Sequence, residues 1–398
     1  MSVIISHIQM YRRVTFFVIG ILFGVLLLWT LRSFEPVKTF NDNNLLTKLQ
    51  LERPMVMGFL PFWQIEKNAS YYTKYTNTIS YFSLTLSGEG KIVRYTDDNE
   101  TESEPGWNNL KTEKVKKLLG ELEKSKVKTS LVVFCGDEED ISMMMDNPTE
   151  SAKNLLNDVY PILASYGFDD LNIDIESVTV VPKEEQEKFT LFMKTVKSEL
   201  GRRNKNITLS IDVSPTALIK TYQINVKDID PYVDKVIFMT YDYHYQNSYV
   251  SGSVSPVNGA GKTLEFDVET AIAEAVKIMK KDKIIMGVPL YGYEWESLED
   301  KPSAAVIPGT GITASNERVE EFLEKCATCE AKFDPVTKES YLIYKDYDVD
   351  TYHHIFYPDV RAMEEKIKLM KKYDIGGLAL WALGYEGKSI LEPLRGVK

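Results

Sequence analysis

The chain has 398 residues, 44% hydrophobic and 26% charged, enough apolar material for a large packed core and too much for a disordered polymer. Its net charge of -11, with no basic cluster outside the N-terminus, argues against a nucleic-acid partner and favours a neutral or cationic ligand over a polyanion.

In chain order, the first feature is residues 14–31, an uncharged apolar run of eighteen residues flanked by Arg12, Arg13 and Arg32. That length spans a bilayer. A cleaved signal peptide is the competitor, but its apolar region is usually shorter and closed by small residues. The expectation is a single-pass anchor within residues 1–33, its N-terminus held in the cytoplasm by the paired arginines. A polar stalk follows at 34–52, and the domain at 53–398 works on the extracytoplasmic side.

Beyond the stalk, short apolar runs alternate with helical patterns. The strands are expected at 56–63, 78–86, 128–134, 170–176, 208–213, 235–243, 283–291 and 377–383, with helices at 112–123, 182–200, 269–280 and 360–373. Eight strands alternating with helices close most economically into an α/β fold, the (β/α)8 TIM barrel. The gap at about 295–355 is long and holds strand-like segments of its own at 340–344 and 348–356. It predicts a small α+β insertion between strands seven and eight, on the catalytic rim.

Cys135 lies in an apolar strand and is expected to be a packed thiol. Cys326 and Cys329 form a C-x-x-C pair with no second pair and no adjacent histidine, which argues against zinc. A local disulfide and two free thiols both remain open. The four histidines give no metal geometry, because adjacent His353 and His354 point opposite ways on a strand; no metal or cofactor is expected. Asn68, Asn99 and Asn206 head N-x-S/T triplets, a pattern common by chance.

The fourth strand carries the most information. Between Gly167 and Ser177, Leu171, Ile173 and Ile175 share one face, while Asp170, Asn172, Asp174 and Glu176 share the other. Either this is an edge strand with a solvated polar face, or the polar row points into a barrel. In a barrel, Glu176 stands at the mouth, Asp174 lies ~6.6 Å deeper and Asn172 the same distance below that. Desolvation raises a carboxyl pKa, which fits Glu176 to act as a general acid near neutrality. Asp174 stays ionised only where hydrogen bonds replace water.

These residues resemble the strand-four signature D-G-x-D-x-D-x-E of glycoside hydrolase family 18, the family of chitinases and endo-N-acetylglucosaminidases. Asp169, Asp174 and Glu176 match; Asp170 replaces glycine, and Asn172 replaces the middle aspartate, as in members related to bacterial spore-germination and cell-wall hydrolases. Met239-Thr240-Tyr241-Asp242 resembles the family's M-T-Y-D, the stretch from Gly287 to Gly292 its G-x-P-x-Y-G, and Gly376 to Trp381 its eighth strand. The third-strand S-x-G-G is not preserved at Phe134-Cys135-Gly136.

The resemblance implies substrate-assisted retaining hydrolysis of glycans containing N-acetylhexosamine. Glu176, Asp174 and Tyr241 are then the catalytic residues, with Asp242, Met239, Trp381, Asn172, Tyr291 and Trp63 binding substrate. Trp63 and Trp295, near the ends of strands one and seven, are candidate sugar platforms; unliganded rim aromatics are the plainer reading. Two other functions stay open, a catalytically silent carbohydrate-binding protein and a membrane-tethered adaptor.

Overall fold

Eight parallel strands close into a barrel in the computed structural model, which describes residues 53–397 apart from Asp98, Val178 and 262–264. The barrel strands are β1 (Met55–Pro61), β2 (Thr78–Thr85), β3 (Lys128–Cys135), β4 (Asp170–Ile175), β5 (Thr208–Val213), β6 (Lys235–Phe238) and β7 (Ile284–Pro289). Then come β8 (Tyr291–Ser297), β9 (Ile312–Ser315), β10 (Lys332–Phe333), β11 (Ser340–Asp346) and β12 (Thr351–Tyr357), and the barrel closes with β13 (Gly377–Trp381). β13 pairs with both β1 and β7. The apolar run at 14–31 and the stalk lie outside the described residues. Among those described, no helix is long and apolar enough to cross a membrane.

All eight expected barrel strands are present, with two boundaries corrected. The sixth ends at Phe238 instead of 243, because the Thr240 and Tyr241 amides donate back to the carbonyls of Phe238 and Met239, each at 2.8 Å, and turn the chain out of the ladder. The seventh breaks at Leu290, whose amide donates to the Trp381 carbonyl at 2.7 Å; Tyr291 then opens a second sheet. That sheet is five-stranded and antiparallel, in the order β10-β11-β12-β8-β9. The insertion thus spans Tyr291–Tyr357, slightly wider than 295–355.

The four expected helices occur as Glu113–Lys124, Lys183–Arg203, Val268–Ile278 and Val360–Tyr373. In the first, Val115, Leu118, Leu119 and Leu122 form the buried stripe, each side chain contributing about 1.5–3 kcal/mol. The helices Glu138–Asp146 and Pro148–Tyr166 were not expected; Pro161 inside the second interrupts its sequence signal. It ends on Gly167 at φ 72°, with the Gly167 amide bonded to the Leu163 carbonyl. A side chain in that left-handed conformation costs about 1–2 kcal/mol, and the turn aims the chain directly into β4.

Two cores result. The larger lies between barrel and helices and takes the outward face of β4, Leu171, Ile173 and Ile175. The smaller fills part of the lumen with Met57, Phe59, Val132, Ile237, Ile285 and Ala379. The lumen on the side of β4 and β5 is instead polar, and it positions the site.

Candidate active site

Strand β4 is buried along its whole length and paired on both sides, with β3 and β5. The edge-strand alternative is thereby excluded, and the polar row lies inside the barrel. At its floor Asp170 accepts hydroxyl hydrogen bonds from Ser130 at 2.7 Å, Thr208 at 2.6 Å and Ser210 at 2.6 Å. Burial nevertheless raises its carboxyl pKa. Asp169 sits outside the lumen, where its side chain accepts the Thr129 amide at 2.9 Å and its carbonyl accepts the Thr208 amide at 2.9 Å. It ties the three strands together and takes no part in the cavity.

One level up, the Asn172 amide nitrogen donates to Ser210 Oγ and Asp212 Oδ1, both at 3.0 Å, while Asn172 Oδ1 has no hydrogen-bond partner among the described residues. Asp212 is the site residue that sequence reasoning missed. Its signal was present: Thr208, Ser210 and Asp212 alternate with Leu209, Ile211 and Val213 as in β4.

Asp174 is 3% exposed and finds no donor for Oδ1 among the described residues. The condition for its staying ionised is therefore not met by hydrogen bonding. Burial, Asp212 and Glu176, in that order, push its carboxyl pKa well above the usual range. Asp212 is pushed well up by burial too, partly offset by the Asn172 donor. Glu176 ends the row; its amide donates to the Cys135 carbonyl at 2.9 Å. Its side chain is exposed at the mouth, yet the protein surrounding it raises its pKa, and Asp242 raises it further. A raised proton affinity on an acid open to ligand suits general acid catalysis.

The turn after β6 brings Met239, Tyr241 and Asp242 to the same mouth. Glycine at 287 on β7 makes this possible, because a Cβ there would lie 2.6 Å from the Phe238 carbonyl oxygen and 2.9 Å from the Tyr241 ring. Asp242 adopts φ 59°, and its carboxylate accepts the hydroxyls of Tyr291 at 2.6 Å and Tyr293 at 3.0 Å. Burial first, then the surrounding acids, raise the Tyr241 pKa well above 10, so its hydroxyl remains a donor.

A cavity of about 370 Å³ opens here, lined by Glu176, Asp212, Met239, Tyr241 and Asp242 on one side and by Tyr222, Gln223 and Phe266 on the other. Tyr291 supports it from behind through Asp242. Trp381 is half-buried in the lumen, edge-on to Phe82 at 4.6 Å and to Phe59 at 5.8 Å. Trp63 is 49% exposed and packs edge-on to Phe62 and Phe82, open to a ligand. Trp295 is not a sugar platform: it is fully buried between Tyr293 and Phe356, and its indole N–H donates to the Gln246 carbonyl at 3.2 Å. At strand three, Phe134 fills the space beside Gly136 and packs on Phe82.

Away from the site, Cys326 and Cys329 are joined in a disulfide, and Cys135 is a buried thiol whose pKa burial pushes up to about 11. His353 bonds Glu294 while His354 bonds Ser251 and the Glu299 carbonyl, on opposite faces as expected. Among the described residues no group of three or more His, Cys, Asp or Glu side chains is arranged to hold a metal ion.

Comparison with known proteins places this geometry. The model of the glycosyl hydrolases family 18 matches residues 55–386. YdhD of Bacillus subtilis, named provisionally as a sporulation-specific glycosylase, is 24% identical over 316 residues, covering 78% of this chain and 67% of that one. The cortical fragment-lytic enzyme of the same organism is 22% identical over 252 residues, covering 62% of this chain, which spans about half of that protein, 53%. Among solved structures, the Cycas revoluta chitinase in complex with (GlcNAc)3 superposes with a TM-score of 0.69 at 18% identity, covering 86% of this chain and 98% of that one; at this identity the likeness concerns the fold. The match over 55–386, on a barrel whose fourth strand leads through Asp174 to Glu176 just past its end, shows that the chain belongs to the glycosyl hydrolases family 18, a family of glycosidases.

Proposed function

We propose that the chain cleaves β-linked N-acetylhexosamine glycans by substrate-assisted retaining hydrolysis, with peptidoglycan or its fragments as first choice and chitin-like oligomers next. The observation that carries this reading is the convergence of Glu176, Tyr241 and Asp242 on one cavity above the buried Asp174. The cortical fragment-lytic enzyme among the relatives supports a cell-wall substrate, and the solved (GlcNAc)3 complex supports recognition of N-acetylglucosamine.

In this reading Glu176 gives its proton to the glycosidic oxygen as the C1–O bond breaks. The substrate's acetamido carbonyl oxygen bonds C1 and forms an oxazolinium ion. Water then attacks C1 and returns a proton to Glu176, so the acid is restored and one water is consumed. Asp174 receives the acetamido N–H, Tyr241 donates to the acetamido oxygen, and the acidic surroundings offset the developing positive charge. Trp381 and Trp63 offer aromatic faces to the sugar rings, while Met239, Asp242, Asn172 and Tyr291 shape and support the site. The apolar run at 14–31 anchors the enzyme with its N-terminus cytoplasmic and its barrel extracytoplasmic.

The test is Glu176→Gln on a chromogenic chito-oligosaccharide, with product analysis on peptidoglycan and chitin. Turnover is expected to fall at least 10³-fold with affinity retained, and a thiazoline analogue of the oxazolinium is expected to inhibit the wild type. A wild type that binds these glycans and cleaves none of them reassigns the chain to a carbohydrate-binding protein.

A further inference from the structure

The buried acids behind Asp174 have no task in the reaction as written. Asp170 lies four residues before Asp174 on the same strand, ~13 Å along it, too deep to meet a sugar. Its three hydroxyl donors nevertheless fix an orientation. Ser210 gives its single proton to Asp170, so it faces Asn172 only as an acceptor, and it takes an N–H from the Asn172 amide. The second N–H of that same nitrogen goes to Asp212. Turning the amide over would set Asn172 Oδ1 against two acceptors. Its actual orientation leaves Oδ1 without a partner among the described residues, a cost of about 1–3 kcal/mol that the two donated bonds offset.

We propose that Asp212 of β5 is the carboxyl that shares a single ionisation with Asp174, and that Asp170 and Ser210, acting through the Asn172 amide, place the charge on Asp212 and the proton on Asp174. This rests on the reading given under Proposed function. Asn172 lies opposite Ser210 and Ile173 opposite Ile211 in the β4–β5 register, which brings Asp174 and Asp212 next to each other on the inward face. Asp212 has a donor and Asp174 Oδ1 has none, and a hydrogen bond to the charged form favours that form. The groups facing the pair are Glu176 after β4, Asp170 from the floor and Tyr241 from the turn after β6; Asp242 faces Glu176 and Tyr241, and Asp234 faces Asp170 and is itself paired with Lys197. All those acting directly on the pair are acidic or phenolic, so two charges on it are disfavoured, and the Asn172 donor is what favours ionisation of Asp212 over Asp174. That one negative charge is what a neighbouring oxazolinium requires. A second proton, taken up by Asp212 at acid pH, removes it.

Ser210→Ala in the full chain breaks the relay and leaves every carboxyl in place. A hydrogen bond to a charged group contributes about 1.5 kcal/mol, close to one pH unit. The acid limb of kcat/KM is therefore expected to move up by about one unit, which is about tenfold lower activity on that flank. Ser210→Thr, which keeps the hydroxyl, is expected to restore the wild-type limb. Carbon-13 NMR of labelled aspartate carboxyls reads the proton without substrate: with resonances assigned through Asp174→Asn and Asp212→Asn, the wild-type Asp174 carboxyl is expected to be protonated and the Asp212 carboxyl ionised. A Ser210→Ala enzyme with wild-type limbs, whatever its thermal stability, overturns the proposal. So does a wild-type spectrum in which the Asp212 carboxyl carries the proton and the Asp174 carboxyl the charge. If the wild type cleaves no acetamido glycan, the functional reading fails, and the assigned aspartate resonances still decide where the proton sits.

Discussion

Lys366 is fully buried in the helix Val360–Tyr373, with its ammonium donating to Ser255 Oγ at 2.5 Å and to the Ser255 carbonyl. Glu339, 1% exposed, accepts the Ser255 amide at 2.9 Å from the insertion side. Ser255 Oγ in turn donates to the Thr240 carbonyl at 2.5 Å, one residue before Tyr241. Burial pushes Glu339 up to about 7 and Lys366 down to about 8, each restrained by the other. Removing one member of a buried pair costs about 3–5 kcal/mol, and Lys366→Met is expected to cost that much, with a particular pH dependence. Below pH 7 Glu339 is already protonated in the wild type, so the variant loses chiefly the two bonds to Ser255. Above pH 7 the wild-type acid ionises against Lys366, whereas the variant acid has no cation to ionise against. The deficit then grows by about 1.4 kcal/mol per pH unit. The wild type follows the same linkage. Glu339 binds a proton more tightly folded than unfolded, so its contribution to stability falls as pH rises from about 4.5 to about 7. Urea unfolding at pH 6 and pH 8 measures both effects. The double variant Lys366→Met/Glu339→Gln is expected to lose the extra deficit at pH 8. Equal losses for single and double variants at both pH values would refute the argument.

Two further outcomes concern the mouth. Asp242 raises the proton affinity of Glu176, so Asp242→Asn is expected to move the alkaline limb of kcat/KM to lower pH; an unmoved limb would separate that limb from Glu176. Trp63→Ala is expected to raise KM for a long oligosaccharide about tenfold, the equivalent of about 1.4 kcal/mol of ring contact, with kcat nearly kept. A fall in kcat at constant KM would assign Trp63 to the scaffold.

Strand four was legible because four polar residues at period two in an apolar strand admit few arrangements. Strand five carries the same alternation, but serine and threonine are ordinary in strands, so Asp212 did not stand out until Asn172 was seen to donate to it. Trp295 failed for a geometric reason. Tyr291, Tyr293 and Trp295 share one face of β8, and the insertion folds over that face, a tertiary event with no local trace. Lys366 was invisible for the same kind of reason, since a lysine in an amphipathic helix reads as a solvated residue. Residues 239–243 read as strand by composition, and only the backward amide bonds of Thr240 and Tyr241 turn them outward.

Depth along β4 and β5 therefore sorts chemically similar carboxyls into different tasks. At the floor Asp170 is surrounded by three hydroxyl donors and cannot move, so it orients its neighbours. In the middle, Asp212 accepts an N–H of the Asn172 amide and Asp174 accepts none, and that difference distinguishes the two acids. At the mouth Glu176 is open to ligand, while the surrounding protein and then Asp242 raise its proton affinity. Asn172 is the hinge of this arrangement: an aspartate there would accept where the amide donates, and would set a third carboxyl against Asp212 in the middle layer. Asn172→Asp should thus disturb the pH limbs through Asp212 on β5, by a route that the spacing within β4 alone does not reveal.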